Sequence, residues 1–348
     1  MALSWTKRLE GNAYTLPLDT AADLCVDSVG NVYLFLTNRL YKSTDNGVNW
    51  TDKGAIGSGN AKGIGVLGST LYAAVETGDI FSIYYSADAG ENWTITTVDP
   101  PHSGSYIHFY FYVSQYYERV YVTCRNPAWP YTHPIAYYTD NDGESWSATS
   151  TGQNNTKYSL AGDESGNMVA LLTYGGYSTA EAWYSNDGIS FSAGGMDPHA
   201  DAHAFYGFGE IFYAIGYNQS TRFSYSIDVG LNFSYSDLFP VVYNSSYNLY
   251  HMCKHDGIIY VAGHTWSATD GYYFPTLHTC DNTGTSGSMV ELCGIAQNLA
   301  SSSIRGVIVA GDKIIVLTEL RYIYTAEYVS PAKPRINYFN RIQPFILN

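Results

Sequence analysis

The chain has 348 residues, enough for two ordinary domains, and carries 17 basic against 31 acidic residues, a formal net charge of −14. Because so acidic a surface repels phosphate groups, nucleic acids and anionic membranes are excluded as expected partners. Only 14% of the residues are charged whereas 34 are tyrosine, a side chain with an apolar ring and a polar tip. The composition therefore predicts a recognition surface that is apolar and hydrogen-bonding at once.

Short strand-like runs separated by turns fill the chain, four to a unit. The first three units contain Asp23–Ser28, Asn31–Thr37, Leu40–Ser43 and Asn49–Lys53; Lys62–Leu67, Thr70–Glu76, Ile80–Ser86 and Asn92–Thr97; and Tyr106–Val113, Arg119–Cys124, Ile135–Thr139 and Ser145–Thr149. The next three contain Tyr158–Asp163, Asn167–Thr173, Ala182–Ser185 and Ser190–Ala193; Ala202–Phe208, Glu210–Ile215, Arg222–Ser226 and Asn232–Ser236; and Leu249–Lys254, Gly257–Gly263, Thr276–Cys280 and Met289–Cys293.

The third and fourth strands of each unit are joined by a recurring turn. The clearest copies are Ser43–Trp50 (STDNGVNW) and Ser86–Trp93 (SADAGENW), and weaker ones follow at Thr139–Trp146, Ser185–Phe191, Ser226–Phe233 and Thr279–Thr285. The turn glycines are 43, 53, 45, 42 and 54 residues apart, a period typical of an array of small β units. In such a turn the Asp or Asn side chain accepts hydrogen bonds from nearby backbone N–H groups, and glycine adopts a positive φ. The aromatic side chain at the end of the motif folds back over the hairpin.

The pattern S-x-D-x-G-x-x-W resembles the Asp box, or BNR repeat, of sialidases and many other β-propellers. The resemblance implies that the motif is a structural feature on the rim, remote from any active site. It indicates the fold and does not indicate an activity. The residues that carry it are Ser43, Asp45, Gly47, Trp50, Ser86, Asp88, Gly90, Trp93, Asn141, Gly143, Trp146, Asp228, Gly230 and Phe233.

A seventh unit is incomplete within its own stretch of chain. The runs Ile304–Val309, Lys313–Thr318 and Arg321–Thr325 have no fourth strand, and Ser4-Trp5-Thr6 copies Asn49-Trp50-Thr51. We therefore expect the N-terminal strand to complete the last sheet, which closes a ring and removes exposed edges. The predicted fold is an all-β, seven-bladed propeller of four-stranded antiparallel blades over residues 1–330.

The tail over residues 331–348 combines three prolines with apolar anchors. Two interpretations stay open: a strap across the propeller, and a peptide that docks on another subunit.

Loops between the second and third strands share one face with the connections between blades, and they vary most in sequence. Variable loops on a rigid scaffold are where binding residues concentrate. Aromatic rings beside amides and hydroxyls suit a sugar, although the same rings could simply pack the loops. The predicted glycan-binding residues are Trp129, Tyr131, His133, Tyr174, Tyr177, Tyr217, Arg222, Trp266, Tyr272 and Tyr273.

The sequence also offers two catalytic alternatives. The family resemblance implies that a sialidase would grip its substrate with three arginines, the first in an Arg-Ile-Pro-like motif, but neither Arg8 nor Arg39 is followed by proline. Another glycosidase needs only two carboxylates across a sugar-sized gap. The candidates for that pair near the binding face are Glu76, Asp79, Glu181 and Asp270.

Histidines form the one ligand-like pattern. Aligning Gly209 with Gly257 places His203 and His251 at the same point of neighbouring inner strands. Because a zinc-type site needs three or four convergent ligands, we expect two histidines lining a polar channel, with no bound metal and no cofactor.

The cysteines and the N-terminal sequence bear on the cellular location of the protein. Cys25, Cys124, Cys253, Cys280 and Cys293 are odd in number and scattered, so we expect free core thiols. No charged-then-apolar leader opens the sequence. It therefore fits an intracellular protein, part of a particle such as a virion assembled in a cytoplasm, or a mature form whose leader was removed.

The sequence thus favours a non-catalytic binding propeller with a glycan or glycoconjugate as ligand. It is similar to propeller lectins and adhesion modules. The composition, rich in Tyr, Gly, Ser and Asn and poor in lysine, also suits a virion protein used in host attachment. A glycoside hydrolase on the same face, and a structural propeller that holds other assembly subunits through its tail, remain the alternatives.

Overall fold

The computed structural model describes residues 5–10, 22–77, 80–96, 109–124, 135–150, 156–174, 180–197, 202–208, 210–216, 223–236, 247–267, 272–281, 287–290, 304–318 and 322–327. These residues form 28 strands in seven four-stranded antiparallel sheets. The predicted seven-bladed propeller is therefore confirmed. None of the described ranges contains a helix that is long and apolar enough to cross a membrane.

Each blade is given from its innermost to its outermost strand. Blades 1 to 3 are β2 (Ala22–Val26), β3 (Val32–Leu36), β4 (Arg39–Ser43) and β5 (Thr51–Ala55); β6 (Asn60–Leu67), β7 (Thr70–Thr77), β8 (Ile80–Ser86) and β9 (Thr94–Thr96); and β10 (Phe109–Ser114), β11 (Arg119–Cys124), β12 (Tyr137–Thr139) and β13 (Ser147–Ala148). Blades 4 and 5 are β14 (Thr156–Gly162), β15 (Met168–Tyr174), β16 (Ala180–Ser185) and β17 (Ser192–Asp197); and β18 (Ala202–Phe208), β19 (Ile211–Gly216), β20 (Phe223–Ser226) and β21 (Ser234–Ser236). Blades 6 and 7 are β22 (Tyr247–His255), β23 (Ile258–Ser267), β24 (Tyr272–Asp281) and β25 (Gly287–Val290); and β26 (Ile304–Ala310), β27 (Lys313–Thr318), β28 (Tyr322–Glu327) and β1 (Trp5–Glu10).

Burial falls from the inside of each blade to the outside. Every residue of β3 is buried, whereas β5, β9 and β13 are largely exposed. A strand covered on both faces needs a continuous apolar run, which Val32-Tyr33-Leu34-Phe35-Leu36 supplies. The buried side chains form seven clusters, and each cluster draws residues from two neighbouring blades. The core therefore lies between the blades, so each blade needs its neighbours to bury its apolar faces.

The ring closes through the N-terminal strand, as predicted. β1 pairs antiparallel with β28, so that Trp5 lies opposite Ala326 and Thr6 opposite Thr325. The Arg8 Nε donates to the Thr325 hydroxyl at 2.8 Å. Closure leaves β28 with a partner on both edges, which removes an exposed sheet edge at the junction.

Blade 6 departs most from the predicted strand bounds. Its third strand begins at Tyr272 instead of Thr276, and its fourth is Gly287–Val290 instead of Met289–Cys293. Proline usually interrupts a strand, yet Pro275 lies within β24 and pairs with His264 of β23. On its other edge β24 pairs with β25 only from Leu277 onward, so Pro275 has no partner strand on that side. A proline fits a strand where its missing N–H would face an unpaired edge.

Two further expectations concern single features. Cys25 and Cys253 are free and buried, as predicted. The tail over residues 331–348 lies outside the described residues.

Deleting residues 1–10 tests ring closure. We expect the free energy of unfolding to fall by at least about 2 kcal/mol, because β28 would lose its outer partner and expose an unpaired edge. Urea denaturation followed by tryptophan fluorescence measures the change. A truncated chain that unfolds at the same urea concentration as the full chain would contradict the closure.

Candidate functional site

A recurring side-chain network closes the hairpin between the third and fourth strands of blades 1 to 5. In blade 2 the Ser86 hydroxyl accepts the backbone N–H of Gly90 at 2.8 Å and donates to the Asp88 carboxylate at 2.7 Å. That carboxylate also accepts the backbone and side-chain N–H groups of Asn92 at 2.9 and 2.7 Å. The bond from glycine recurs at 2.8–3.0 Å from Gly47 to Ser43, Gly143 to Thr139, Gly188 to Ser185 and Gly230 to Ser226.

These bonds need an unusual backbone. The turn glycines have φ between 70° and 91° in the five described copies, which is the left-handed region where a Cβ is disfavoured. The residue before the glycine is also left-handed at Asn46, Ala89, Asp142 and Val229. The blade 4 copy is one residue shorter, since Gly188 bonds to a serine three positions earlier. Residues 282–286 of the sixth predicted copy lie outside the described part of the chain.

The turn carboxylates are held ionised. Backbone N–H donation from Asn92, followed by its side-chain amide and the Ser86 hydroxyl, lowers the pKa of Asp88 to about 2. For Asp187, partial burial opposes ionisation, but the backbone N–H groups of Ser190 and Ile189 outweigh it and lower the pKa to about 2. Such carboxylates are poor proton donors and their oxygens already accept several hydrogen bonds, so they are fitted for structure instead of acid catalysis.

The aromatic residue that ends each turn packs between two blades, and not only over its own hairpin as the sequence suggested. Trp93 of blade 2 packs against a cluster that contains Leu40 of blade 1. Phe233 of blade 5 packs against a cluster that contains Val169 of blade 4. The same holds for Trp50 with blade 7, Trp146 with blade 2 and Phe191 with blade 3.

The turns also touch the preceding blade with their backbone. A Cβ added to Gly47 would lie 2.7 Å from Ile315 Cδ1 of blade 7, and one added to Gly143 would lie 2.8 Å from Thr96 Cγ2 of blade 2. The Tyr72 hydroxyl of blade 2 donates to the Asp142 carboxylate of the blade 3 turn at 2.6 Å. We call the end of the propeller that carries these hairpins the turn rim, and the opposite end, which carries the connections after the second and fourth strands, the loop rim.

Six of the ten predicted glycan-binding residues lie outside the described residues. These are Trp129, Tyr131, His133, Tyr177, Tyr217 and Arg222. The other four lie at strand ends that the structure describes. Tyr174 ends β15, while Trp266, Tyr272 and Tyr273 lie on the facing ends of β23 and β24.

Blade 6 carries a long hairpin toward the loop rim. In the part of the chain that the structure describes, β23 has ten residues, whereas the second strands of the other blades have five to eight. Pairing with β24 continues to its end, where Trp266 is opposite Tyr273 and Ser267 opposite Tyr272. At about 3.3 Å per residue, two to five extra residues extend this paired ribbon by roughly 7–16 Å. The backbone thus brings three predicted site residues together on one hairpin.

The carboxylates of the glycosidase alternative are not brought together within the described part of the chain. Asp79 and Asp270 lie outside it. Glu76, at the loop-rim end of β7, forms an ion pair with Lys62 at 2.6 Å. Glu181 lies on β16 of blade 4, two blades away along the ring.

The expected equivalence of His203 and His251 is wrong by one residue. β18 ends at Phe208 and β22 at His255, and each end pairs across a two-residue turn. Counted from these ends, His203 corresponds to Tyr250, and His251 to Ala204. The His251 Nδ1 accepts the backbone N–H of Val307 in blade 7 at 3.3 Å. Among the described residues no group of three or more His, Cys, Asp or Glu is placed to hold a metal ion.

Asp23 is a buried polar residue that the sequence analysis did not single out. Its carboxylate accepts the backbone N–H groups of Leu24 and of Ile64 in blade 2, both at 2.9 Å. Burial raises its pKa well above the ordinary value, although these two N–H bonds oppose the shift. An acidic residue inside the apolar run Ala22-Asp23-Leu24-Cys25-Val26 was the available signal. Asp23 and His251 both join innermost strands of adjacent blades.

The chain matches one family model over part of its length. Residues 3–160 match the DUF6242 beta propeller domain, which covers β1, blades 1 to 3 and part of β14. No curated protein matches the chain.

Many solved structures share the fold. YCF48 bound to D1 peptide is 14% identical with a TM-score of 0.63 over 95% of this chain and 96% of that one. A catalytically inactive virginiamycin B lyase from Staphylococcus aureus with quinupristin is 9% identical with a TM-score of 0.65 over 94% and 100%. An alpha-l-arabinofuranosidase from Fusarium graminearum with an iminosugar inhibitor is 13% identical with a TM-score of 0.53 over 81% and 99%. At such identities the likeness shows the fold alone.

Replacing Ser86 by alanine tests the turn network. The change leaves the buried N–H of Gly90 without its acceptor, which should lower the free energy of unfolding by about 1–3 kcal/mol. Thr94→Ala on the exposed strand β9 is the matched control and should stay within about 0.5 kcal/mol of the parent. Urea denaturation compares the two, and equal small effects would show that the network does not stabilise the blade.

The turn carboxylates also predict acid sensitivity. Because the pKa values of Asp88 and Asp187, about 2, lie below the ordinary 3.8, their stabilisation is present above pH 3.8 and is lost as the pH falls toward 2. Asp88→Asn should therefore lose less stability than the parent across that window. The measurement is the free energy of unfolding at intervals of pH, and parallel curves for the two proteins would refute the assignment.

Proposed function

We propose that this protein is a non-catalytic binding propeller that takes a carbohydrate on its loop rim, and that its recurring turns are Asp boxes. The single observation that supports this best is the blade 6 hairpin, which is longer than the other second strands within the described residues and whose backbone register sets Trp266 opposite Tyr273. Cross-strand aromatic pairs are stable platforms. Sugar rings present C–H faces to aromatic rings and hydroxyls to nearby amides.

The two rims differ in what they have left to offer a ligand. On the turn rim, the serine hydroxyls, the aspartate carboxylates and the aromatic rings are engaged in closing hairpins and joining blades. On the loop rim, the sequence carries its variable aromatic segments. Scaffolded loops are where binding residues concentrate, and this asymmetry favours the loop rim as the ligand face.

A binding role fits the described carboxylates better than a hydrolytic one. Hydrolysis requires one protonated and one ionised carboxyl group facing the same bond. Glu76 is held in an ion pair by Lys62, and the low-pKa aspartates lie on the opposite rim. Other subunits of an assembly are further candidate partners, with the tail over residues 331–348 as the segment that would hold them.

A glycan-array screen of the full chain tests the proposal. We expect one class of glycan to bind, and binding to be lost in Trp266→Ala and in Tyr273→Ala. Tyr116→Ala, which removes a ring that is 54% exposed on the turn rim, is the matched control and should bind as the parent does.

Two results would contradict the proposal. If no glycan on the array binds, carbohydrate is excluded as the ligand. Turnover of chromogenic glycosides that is abolished by Glu181→Gln would replace binding with hydrolysis.

A further inference from the structure

Four innermost strands carry a β-bulge at the same position. Their pairing shifts between Ala61 and Gly63 in β6, Ala202 and Ala204 in β18, Leu249 and His251 in β22, and Ile304 and Gly306 in β26. The inserted residues are therefore Lys62, His203, Tyr250 and Arg305. Each lies five positions before the end of its strand.

The shared position makes these bulges a feature of the ring and not of one blade. At the same distance from their ends, β10 and β14 pair with their neighbours without interruption. Bulges re-aim a side chain, and they recur at rims and beside functional sites. Because the four strands are the innermost of their sheets, their free edges border the central channel. All four bulges lie in its loop-rim half, since the opposite strand ends run into the turn rim.

Exposure distinguishes Lys62 and Arg305 from their neighbours on the same strands. Lys62 is partly exposed although Ala61 and Gly63 are buried, and Arg305 is partly exposed although Ile304 and Gly306 are buried. Solvent thus reaches the strand at the inserted residue and not on either side of it. Lys62 and Arg305 thus each place a partly exposed cation on the loop-rim half of an innermost strand.

The chemistry of the two bulged residues whose side chains the structure describes suits an anion. Lys62 and Arg305 are both cationic. Lys62 is ion-paired with Glu76 at 2.6 Å, with side-chain exposures of 22% and 19%. An ammonium has three donors and a guanidinium five, so each can keep a protein partner and still bind a ligand oxygen. On a chain of net charge −14, such a mouth is a local focus for negative charge.

We propose that the channel mouth at the bulges of Lys62 and Arg305 binds the carboxylate of an acidic saccharide, so that the glycan taken at the loop rim contains a uronic acid. This inference rests on the proposed function and specifies its ligand. Arginine matches a carboxylate through two parallel N–H bonds, and lysine adds a point charge beside it. The aromatic hairpin of blade 6, which carries one of the bulges, would contact the rest of the sugar chain.

Calorimetric titration of the full chain with tri-galacturonate, and with its methyl ester, tests the inference. The acid should bind and the ester should bind at least about tenfold more weakly, because the ester keeps the sugar and removes the charge. Affinity for the acid should fall as sodium chloride is raised.

Three variants assign the effect to the channel mouth. Arg305→Gln and Lys62→Gln should each weaken binding of the acid at least about tenfold. Lys313→Gln is the control, because Lys313 is also paired with a glutamate, Glu327 at 2.8 Å, but at the turn-rim end of β27. Its affinity should stay within about twofold of the parent. Thermal unfolding of each variant verifies that it is folded. If Arg305→Gln does not fold, Lys62→Gln alone decides the outcome.

The outcomes separate the two levels of the proposal. Equal binding of acid and ester, unchanged in both variants, would overturn the carboxylate site and leave a neutral-glycan lectin. Binding of a peptide carboxylate such as tetra-alanine, with no binding of either saccharide, would overturn the saccharide assignment. If neither the acid nor the ester binds while the array finds a neutral glycan, this inference is overturned and the proposed function stands. If no saccharide binds in any of these experiments, the proposed function is overturned as well.

Discussion

The structure depends on one local interaction, the bond from a glycine N–H to a serine or threonine hydroxyl inside each outer hairpin. In blade 2 this bond fixes a left-handed glycine and orients Asp88 to accept the N–H groups of Asn92. The reversed chain then carries Trp93 back against the preceding blade. A turn of a few residues within one blade thereby creates a contact between two blades, and the same contact recurs around the ring.

This constraint explains why the two rims differ. Seven apolar clusters lie between the blades, so the blades are stable only together, and the turn rim supplies polar and aromatic groups that hold five of those junctions. The junctions on either side of blade 6 have no turn aromatic in the described clusters. One of them has instead the bond from Val307 N–H to His251. Because the turn rim is engaged in holding the blades together, we propose the loop rim and the channel mouth as the ligand-binding surfaces.

Much of the fold could be predicted from the sequence, because its signals are local and repeated. The turn motif gave the period, and the copy of Asn49-Trp50-Thr51 at Ser4-Trp5-Thr6 predicted the pairing of β1 with β28. Contacts between blades have no such signal, so the packing of Trp93 against blade 1 and the bond from Ile64 to Asp23 appeared only in three dimensions. The bulges likewise have no signal in the sequence. His203 and His251 looked equivalent because Gly209 is the first residue of its two-residue turn whereas Gly257 is the second, so that aligning the two glycines shifts the strands by one residue. Of the candidate site, the sequence predicts a face and its aromatic residues, and this stays a prediction. Which of these residues lie opposite one another depends on strand register, as it does for Trp266 and Tyr273.

Native-state hydrogen exchange at the amide of Gly90 tests the central claim most directly. If the turn clamps one blade to the next, this N–H can exchange only when the ring opens, and its exchange free energy should equal that of global unfolding and fall with denaturant at the same slope. Exchange of the Gly90 amide several kcal/mol below global unfolding, insensitive to denaturant, would show that the hairpin opens by itself and would contradict the account.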